Sequence, residues 1–207
     1  MTVEKRNTNA DINTKVTDSD KKIIEGYGLL FNKPSHPLSS NGIRFIETIS
    51  KEAVKDINFE DDIRLLLNHD SSQVLARTKA GNLKIEVDDI GVKFRAELNN
   101  TSFANDTYEN LKVGNVNQTS FAFELPDSGG DSVRFNKEES IYERTIKKFK
   151  KISEISVVSF PAYEDTSVYV RSIEEANKEA EQIKELHKRK LQLELDLMKL
   201  KGELNKQ

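Results

Sequence analysis

A chain of 207 residues, 36% hydrophobic and 32% charged, has room for one domain of about 150 residues with extensions, but not for two full domains. Its formal net charge of −3 arises from interspersed acids and bases, which leaves no basic stripe and argues against a dedicated nucleic-acid binder. With no cysteine, disulfides, catalytic thiols and thiolate metal sites are excluded. Met1 to Arg6 lacks an apolar signal region and no apolar run spans a bilayer, so the chain reads as soluble and intracellular, without a membrane partner.

Residues 1–21 are rich in Asn, Thr, Asp and Lys, and such a segment buries too little apolar surface to offset its ordering entropy; it reads as a flexible polar leader. Residues 22–170 can build an ordinary core. Ile23 to Phe31 is β-prone and broken by Gly26 and Gly28, as in a strand with a bulge or a close backbone approach. Asn32 to Pro37 supplies turn chemistry, Ile43 to Glu47 a second strand, and Ser50 to Ile57 a short capped helix. Strand candidates follow at Ile63–Asn68, Val74–Thr78, Leu83–Val87 and Val92–Leu98, the last two joined at Asp88–Gly91. Phe103, Thr107 and Leu111 recur at spacing four, a short helix ended by Gly114. Strands resume at Val116–Leu125, Ser132–Asn136, Ile141–Phe149 and Ile152–Phe160. Many short strands with few helices predict a mainly β, α+β domain, closed or half-closed as a barrel with peripheral helices.

The run Arg144 to Lys151 is the one basic cluster, read as a solvated hairpin or edge strand protected by lysines. A nucleic-acid-binding barrel would need stacking aromatics that this stretch lacks. In residues 171–207, Ala176, Ile183, Lys190, Leu197 and Leu204 recur every seven residues, with Leu186, Leu193 and Leu200 three after members of that series. This is an a/d seam with Lys190 at one a position, a C-terminal heptad helix that seeks a partner helix or lies on its own domain.

Three segments hold polar residues in apolar frames: Leu65 to Asp70, Gln118 to Phe123, and Ile152 to Tyr163. They offer a base, His69, a nucleophile, Ser120, and an orienting carboxylate, Glu154. On strand alternation Leu65, Leu67 and His69 share one face and Asp70 takes the other, which makes Asp70 a poor orienter of its neighbour. Phe121, Phe123 and Leu125 look like the core side of their strand, so Ser120 faces away from them. Apolar residues on both faces around Glu154 describe a strand covered on both sides, where a carboxylate needs a partner; His69, Arg144 and Lys147 all qualify. Taken singly each residue also has an ordinary structural reading, and no Gly-x-Ser-x-Gly elbow surrounds Ser120. His36, His69 and His187 lack metal-ligand spacing, and Asp61-Asp62 and Asp88-Asp89 are more simply turn or capping residues; no metal or cofactor is expected.

In combination, the pieces resemble the tailed-phage prohead serine proteases, which mature capsids and are distantly related to the herpesvirus assembly protease. The likeness covers about residues 22–170. It rests on Gly26-Tyr27-Gly28 through Phe31, Phe45-Ile46-Glu47 with Ala53, Leu67-Asn68-His69-Asp70, and Gly91-Val92-Lys93-Phe94. It continues through Gly114 with Ser120-Phe121-Ala122-Phe123, and Glu154-Ile155-Ser156-Val157-Val158 with Pro161 to Thr166. Leu75-Ala76-Arg77 departs from it, since the family usually has a glycine after the leucine.

The resemblance implies a herpesvirus-protease-like barrel with His69 as general base and Ser120 as nucleophile. Glu154 matches the family's Glu-(Val/Ile)-Ser pattern, whereas the herpesvirus relatives orient their base with a second histidine, a part His36 could play only if its loop covered the site. It also implies a serine endopeptidase inside the procapsid in the host cytoplasm. Its partners would be the scaffold, the delta segment of the major capsid protein, and itself, by self-cleavage or through its helical tail. The alternative from another class is a non-catalytic scaffold or assembly chaperone acting through that tail.

Overall fold

The structure is a computed structural model that describes residues 3–8, 13–16, 21–40, 42–159, 178 and 181–194. The chain divides into two compact units, Met1–Tyr169 and Val170–Gln207. In chain order the first unit comprises β1 (Glu4–Thr8), β2 (Asn13–Val16), β3 (Lys22–Leu30), β4 (Leu38–Ser40), β5 (Ile43–Ile49), β6 (Arg64–Leu67), β7 (Asp70–Arg77), β8 (Leu83–Val87), β9 (Gly91–Leu98), α1 (Ser102–Lys112), β10 (Gln118–Glu124), β11 (Asp131–Asn136), β12 (Ile141–Ile146) and β13 (Lys151–Val158). A 3-10 turn at Lys51–Val54 is capped by the Ser50 side chain, which accepts from the Glu52 N–H. α1 closes on Gly114 at φ 80°, a left-handed position natural to glycine.

The mainly β character stands. Among the described residues the strands form three sheets with no closed barrel: β1-β10-β13-β6-β7, β11-β12-β5-β4 and β2-β3-β9-β8. Two buried clusters lie among them. One joins Ile24, Leu65, Leu75, Phe94 and Val157 with Tyr108 and Leu111 of α1. The other joins Leu29, Phe121, Phe123, Ile146 and Phe149 with Ala53 and Val54 of the 3-10 turn. The glycine-broken strand behaves as its sequence predicts. The β3–β9 register shifts between Tyr27 and Leu29, and a Cβ on Gly28 would lie 2.7 Å from Ile155 Cδ1.

The polar leader is the largest departure. Glu4–Thr8 is an edge strand paired antiparallel with β10, and Asn13–Val16 pairs antiparallel with β3. Apolar burial does not account for β1; ion pairs do. Arg6 is 4% exposed and bonds both Glu47 oxygens, at 2.7 and 3.0 Å. Arg144, 2% exposed, bonds both Glu4 oxygens at 2.7 and 3.0 Å, Glu47 at 2.8 Å and Asp131 at 2.6 Å. Two guanidiniums thus share three carboxylates in forked geometry. The basic run is therefore corrected in part: β12 is an interior strand between β11 and β5, and its Arg144 is buried, while Lys147, Lys148, Lys150 and Lys151 are exposed. Burial would lower the pKa of Arg144, but the charges of Glu47, Glu4 and Asp131 and a Glu4 hydrogen bond hold it above its ordinary value.

In the second unit residues 181–194 are helical, with Ile183, Leu186 and Leu193 exposed. Ala176, Leu197, Leu200 and Leu204 of the heptad series, and Phe160 and Pro161 to Thr166, lie outside the described residues. Among the described residues no helix is long and apolar enough to cross a membrane.

Candidate active site

The five-stranded sheet brings the three singled-out residues together. β10 and β13 are antiparallel with Ser120 opposite Ser156 and Ala122 opposite Glu154, so these four side chains share a face. β13 runs parallel to β6, Val157 beside Leu67, which brings the end of β6 next to the end of β13.

There the chain reverses through Asn68 and His69, with Leu67 paired to Asp70. Both loop residues have positive φ, 51° and 60°. This is the twist that a two-residue hairpin requires, and Asn and His tolerate it better than most side chains. Asn68 fastens the turn to the end of β13: its N–H donates to Val157 O at 2.8 Å and its Oδ1 accepts from the Ser159 N–H at 2.9 Å. His69 is thereby folded back over the Ser120 face.

Glu154 Oε1 is hydrogen-bonded to His69 Nδ1, and His69 Nε2 lies 2.8 Å from Ser120 Oγ. The Ser156 hydroxyl donates to Glu154 Oε2 at 2.9 Å. Burial pushes the Glu154 carboxyl up, but the hydrogen bond and charge of His69, the Ser156 hydroxyl and the charge of Lys5 together hold it below the usual glutamate value. Glu154 therefore stays ionised beside the ring, which makes Nδ1 the donor and leaves Nε2 facing the serine. Ser120 is fully buried, and its Oγ also lies within hydrogen-bond reach of Arg6 O, at 2.9 Å.

Strand parity assigned the faces of Ser120 and the phenylalanines correctly: Phe121 and Phe123 enter the core with Phe149. For His69 it does not apply, because a left-handed turn has no alternation. Asp70 is nonetheless turned elsewhere, accepting from the Ser72 N–H at 2.8 Å, the Ser72 hydroxyl at 2.6 Å and Gln73 Nε2 at 2.9 Å. His36 is exposed in the segment between β3 and β4, and both ring nitrogens of His69 face other partners. Arg144, one alternative partner of Glu154, is engaged in the ion cluster instead. His187 lies exposed in the tail helix. Asp61 and Asp62 precede β6, where Asp62 pairs with Arg64 and Arg77, and Asp88 accepts from Ile90 and Gly91 N–H groups in its hairpin.

Two contributors stand in the quoted motifs without an assigned role. Ser156 lies two residues beyond Glu154, a spacing that on a strand puts both on one face and could have revealed it. Asn68 is a turn residue whose clamp on β13 depends on long-range pairing. Among the described residues no group of His, Cys, Asp and Glu is arranged to hold a metal ion.

A chain of hydrogen bonds from carboxylate through imidazole to hydroxyl can move a proton off the hydroxyl and stabilise the charge left on the ring. Comparison with known proteins agrees in kind. A model of the caudovirus prohead serine proteases matches residues 9–179. No curated protein and no solved structure matches the chain. A match over so much of the chain makes it a member of the caudovirus prohead serine protease family.

Proposed function

We propose that the protein is a serine endopeptidase in which Ser120 is the nucleophile, His69 the general base and Glu154 the orienting carboxylate. The observation that carries this reading is the continuous contact from Glu154 through both ring nitrogens of His69 to Ser120 Oγ. His69 Nε2 takes the Ser120 proton as Oγ attacks a peptide carbonyl, and then returns it to the leaving amine. Glu154 fixes the ring with Nδ1 protonated and offsets the positive charge that forms. Water repeats the sequence on the acyl-enzyme.

Family membership supports a role in capsid maturation: cleavage of scaffold and of the major capsid protein, and of the protease itself, inside the procapsid in the host cytoplasm. The exposed Ile183, Leu186 and Leu193 give the tail helix an apolar face suited to a helical scaffold segment or a second copy of the chain. Co-expression with capsid and scaffold proteins tests the activity. Ser120→Ala abolishes cleavage while leaving the folded chain intact, whereas processing at the wild-type rate by the purified Ser120→Ala protein rejects the assignment.

A further inference from the structure

β1 occupies the edge of the strand that carries Ser120, and it lies outside the family match, which starts at residue 9. Extended peptides commonly dock on proteins by adding a strand to an exposed sheet edge, main-chain bonds giving affinity and side-chain pockets giving selectivity. β1 has this form. Asn7 is in register with Ser120, and the carbonyl oxygen before it, on Arg6, lies 2.9 Å from Ser120 Oγ. The side chains of Glu4 and Arg6, two residues apart, share the opposite face of the strand and enter the ion cluster. There each meets a complementary group from the body of the domain: Arg6 makes a forked pair with Glu47, and Glu4 with Arg144. Arg6 also lies over the Phe123 ring, at 5.4 Å from its centroid.

We infer that the β10 edge is the peptide-docking edge of the enzyme, that β1 fills it as the chain's own substrate, and that Glu47 selects a basic residue immediately before the scissile bond. This rests on the serine peptidase reading given above. Arg144 adds a preference for an acidic residue two positions earlier, so the substrate class is an extended segment of acidic-x-basic pattern, cut after the basic residue. In the chain itself the bond is Arg6–Asn7.

The Ser120 hydroxyl has one proton, and Arg6 O can only accept, so a bond to that oxygen and donation to His69 Nε2 are alternatives. Reaction requires the second. The Arg6 carbonyl carbon is one C=O bond, about 1.2 Å, behind its oxygen, and a rotation of the peptide presents it to Oγ. Oγ then bonds that carbon and its proton passes to Nε2. The C–N bond to Asn7 breaks as His69 gives the proton to the departing Asn7 amine. Water, deprotonated by His69, hydrolyses the resulting ester, yielding the Arg6 carboxylate and restoring the Ser120 hydroxyl.

The test incubates the purified full chain and follows its intact mass and new amino termini, with phosphonylation of Ser120 by a fluorophosphonate measured in parallel. Wild type and Arg6→Lys gain a terminus at Asn7 with a rate constant independent of protein concentration; Ser120→Ala does not. Arg6→Glu, which sets a like charge against Glu47, is cut there about a hundredfold more slowly, while its uncovered Ser120 is phosphonylated faster than in wild type. Arg6→Gln gives the same comparison, in the same direction, should the charge reversal unfold the chain. Ser120-dependent cuts elsewhere with Arg6–Asn7 intact overturn the inference alone, as does a Ser120 that is phosphonylated without any cut, or cutting of Arg6→Glu at the wild-type rate. Neither cutting nor phosphonylation in any variant overturns the peptidase reading and the inference together.

Discussion

Glu154→Gln separates the carboxylate's charge from its shape. The substitution keeps length and hydrogen-bonding ends but removes the negative charge that faces His69 Nδ1. Ser156 can donate or accept, so it does not dictate which end of the amide faces the histidine. With the amide NH2 towards Nδ1, the ring is forced to carry its proton on Nε2 and cannot accept from Ser120; with the oxygen there, the tautomer is right but the imidazolium goes uncompensated. Either outcome lowers the rate, by about 10²- to 10⁴-fold on the scale of such groups. The assay is the second-order rate of Ser120 phosphonylation, which needs no known peptide substrate.

Stability responds with a defined sign. The Glu154 pKa is depressed in the fold, so its ionised form contributes stability that is fully present above the usual glutamate value of 4.5 and is lost as pH falls through the folded pKa. Exchanging a charge-assisted hydrogen bond for a neutral one costs about 1–2 kcal/mol at pH 7. Urea unfolding of wild type and variant should therefore differ at pH 7 and converge below pH 4.5. A variant phosphonylated within about twofold of wild type would refute the role given to Glu154.

Other consequences follow from the same contacts. Ser156→Ala removes one hydrogen bond to the carboxylate and should slow phosphonylation by about tenfold while leaving Ser120 as its target, a change read by the same kinetics. Arg144→Met leaves Glu4, Glu47 and Asp131 facing Arg6 alone, and urea unfolding at pH 7 should show a loss of about 3–5 kcal/mol. The Arg77 hydrogen bond, with the charges of Arg64 and Arg77, holds the Asp62 carboxyl down to about 2 from 3.8, so its contribution is present above 3.8 and fades as pH falls towards 2. Arg77→Ala should accordingly lower the thermal midpoint at pH 6 more than at pH 2.

Much of this architecture is legible residue by residue. Gly28 announces a close approach because a strand position without a side chain admits Ile155, and the Phe103, Thr107, Leu111 spacing writes out α1. β1 is illegible for a physical reason. Glu4–Thr8 has no apolar alternation, and what orders it is a set of ion pairs with distant residues, Arg6 with Glu47 and Glu4 with Arg144, the latter 140 residues away. His69 is missed as a turn residue because Leu65-Leu66-Leu67 extends a convincing strand up to it, whereas positive φ at Asn68 and His69 is a backbone property that neither residue type advertises as glycine would. Barrel closure is illegible for a similar reason: alternation predicts strands, but closure depends on pairings between distant segments, and among the described residues these strands form three sheets.

The most direct measurement maps the site and rate of fluorophosphonate attachment in the wild-type chain and in Arg6→Gln, each with and without His69→Ala. The account predicts a single adduct, on Ser120, formed at least about a hundredfold more slowly once His69 is gone. An adduct on another residue, or an unchanged rate without His69, would contradict it.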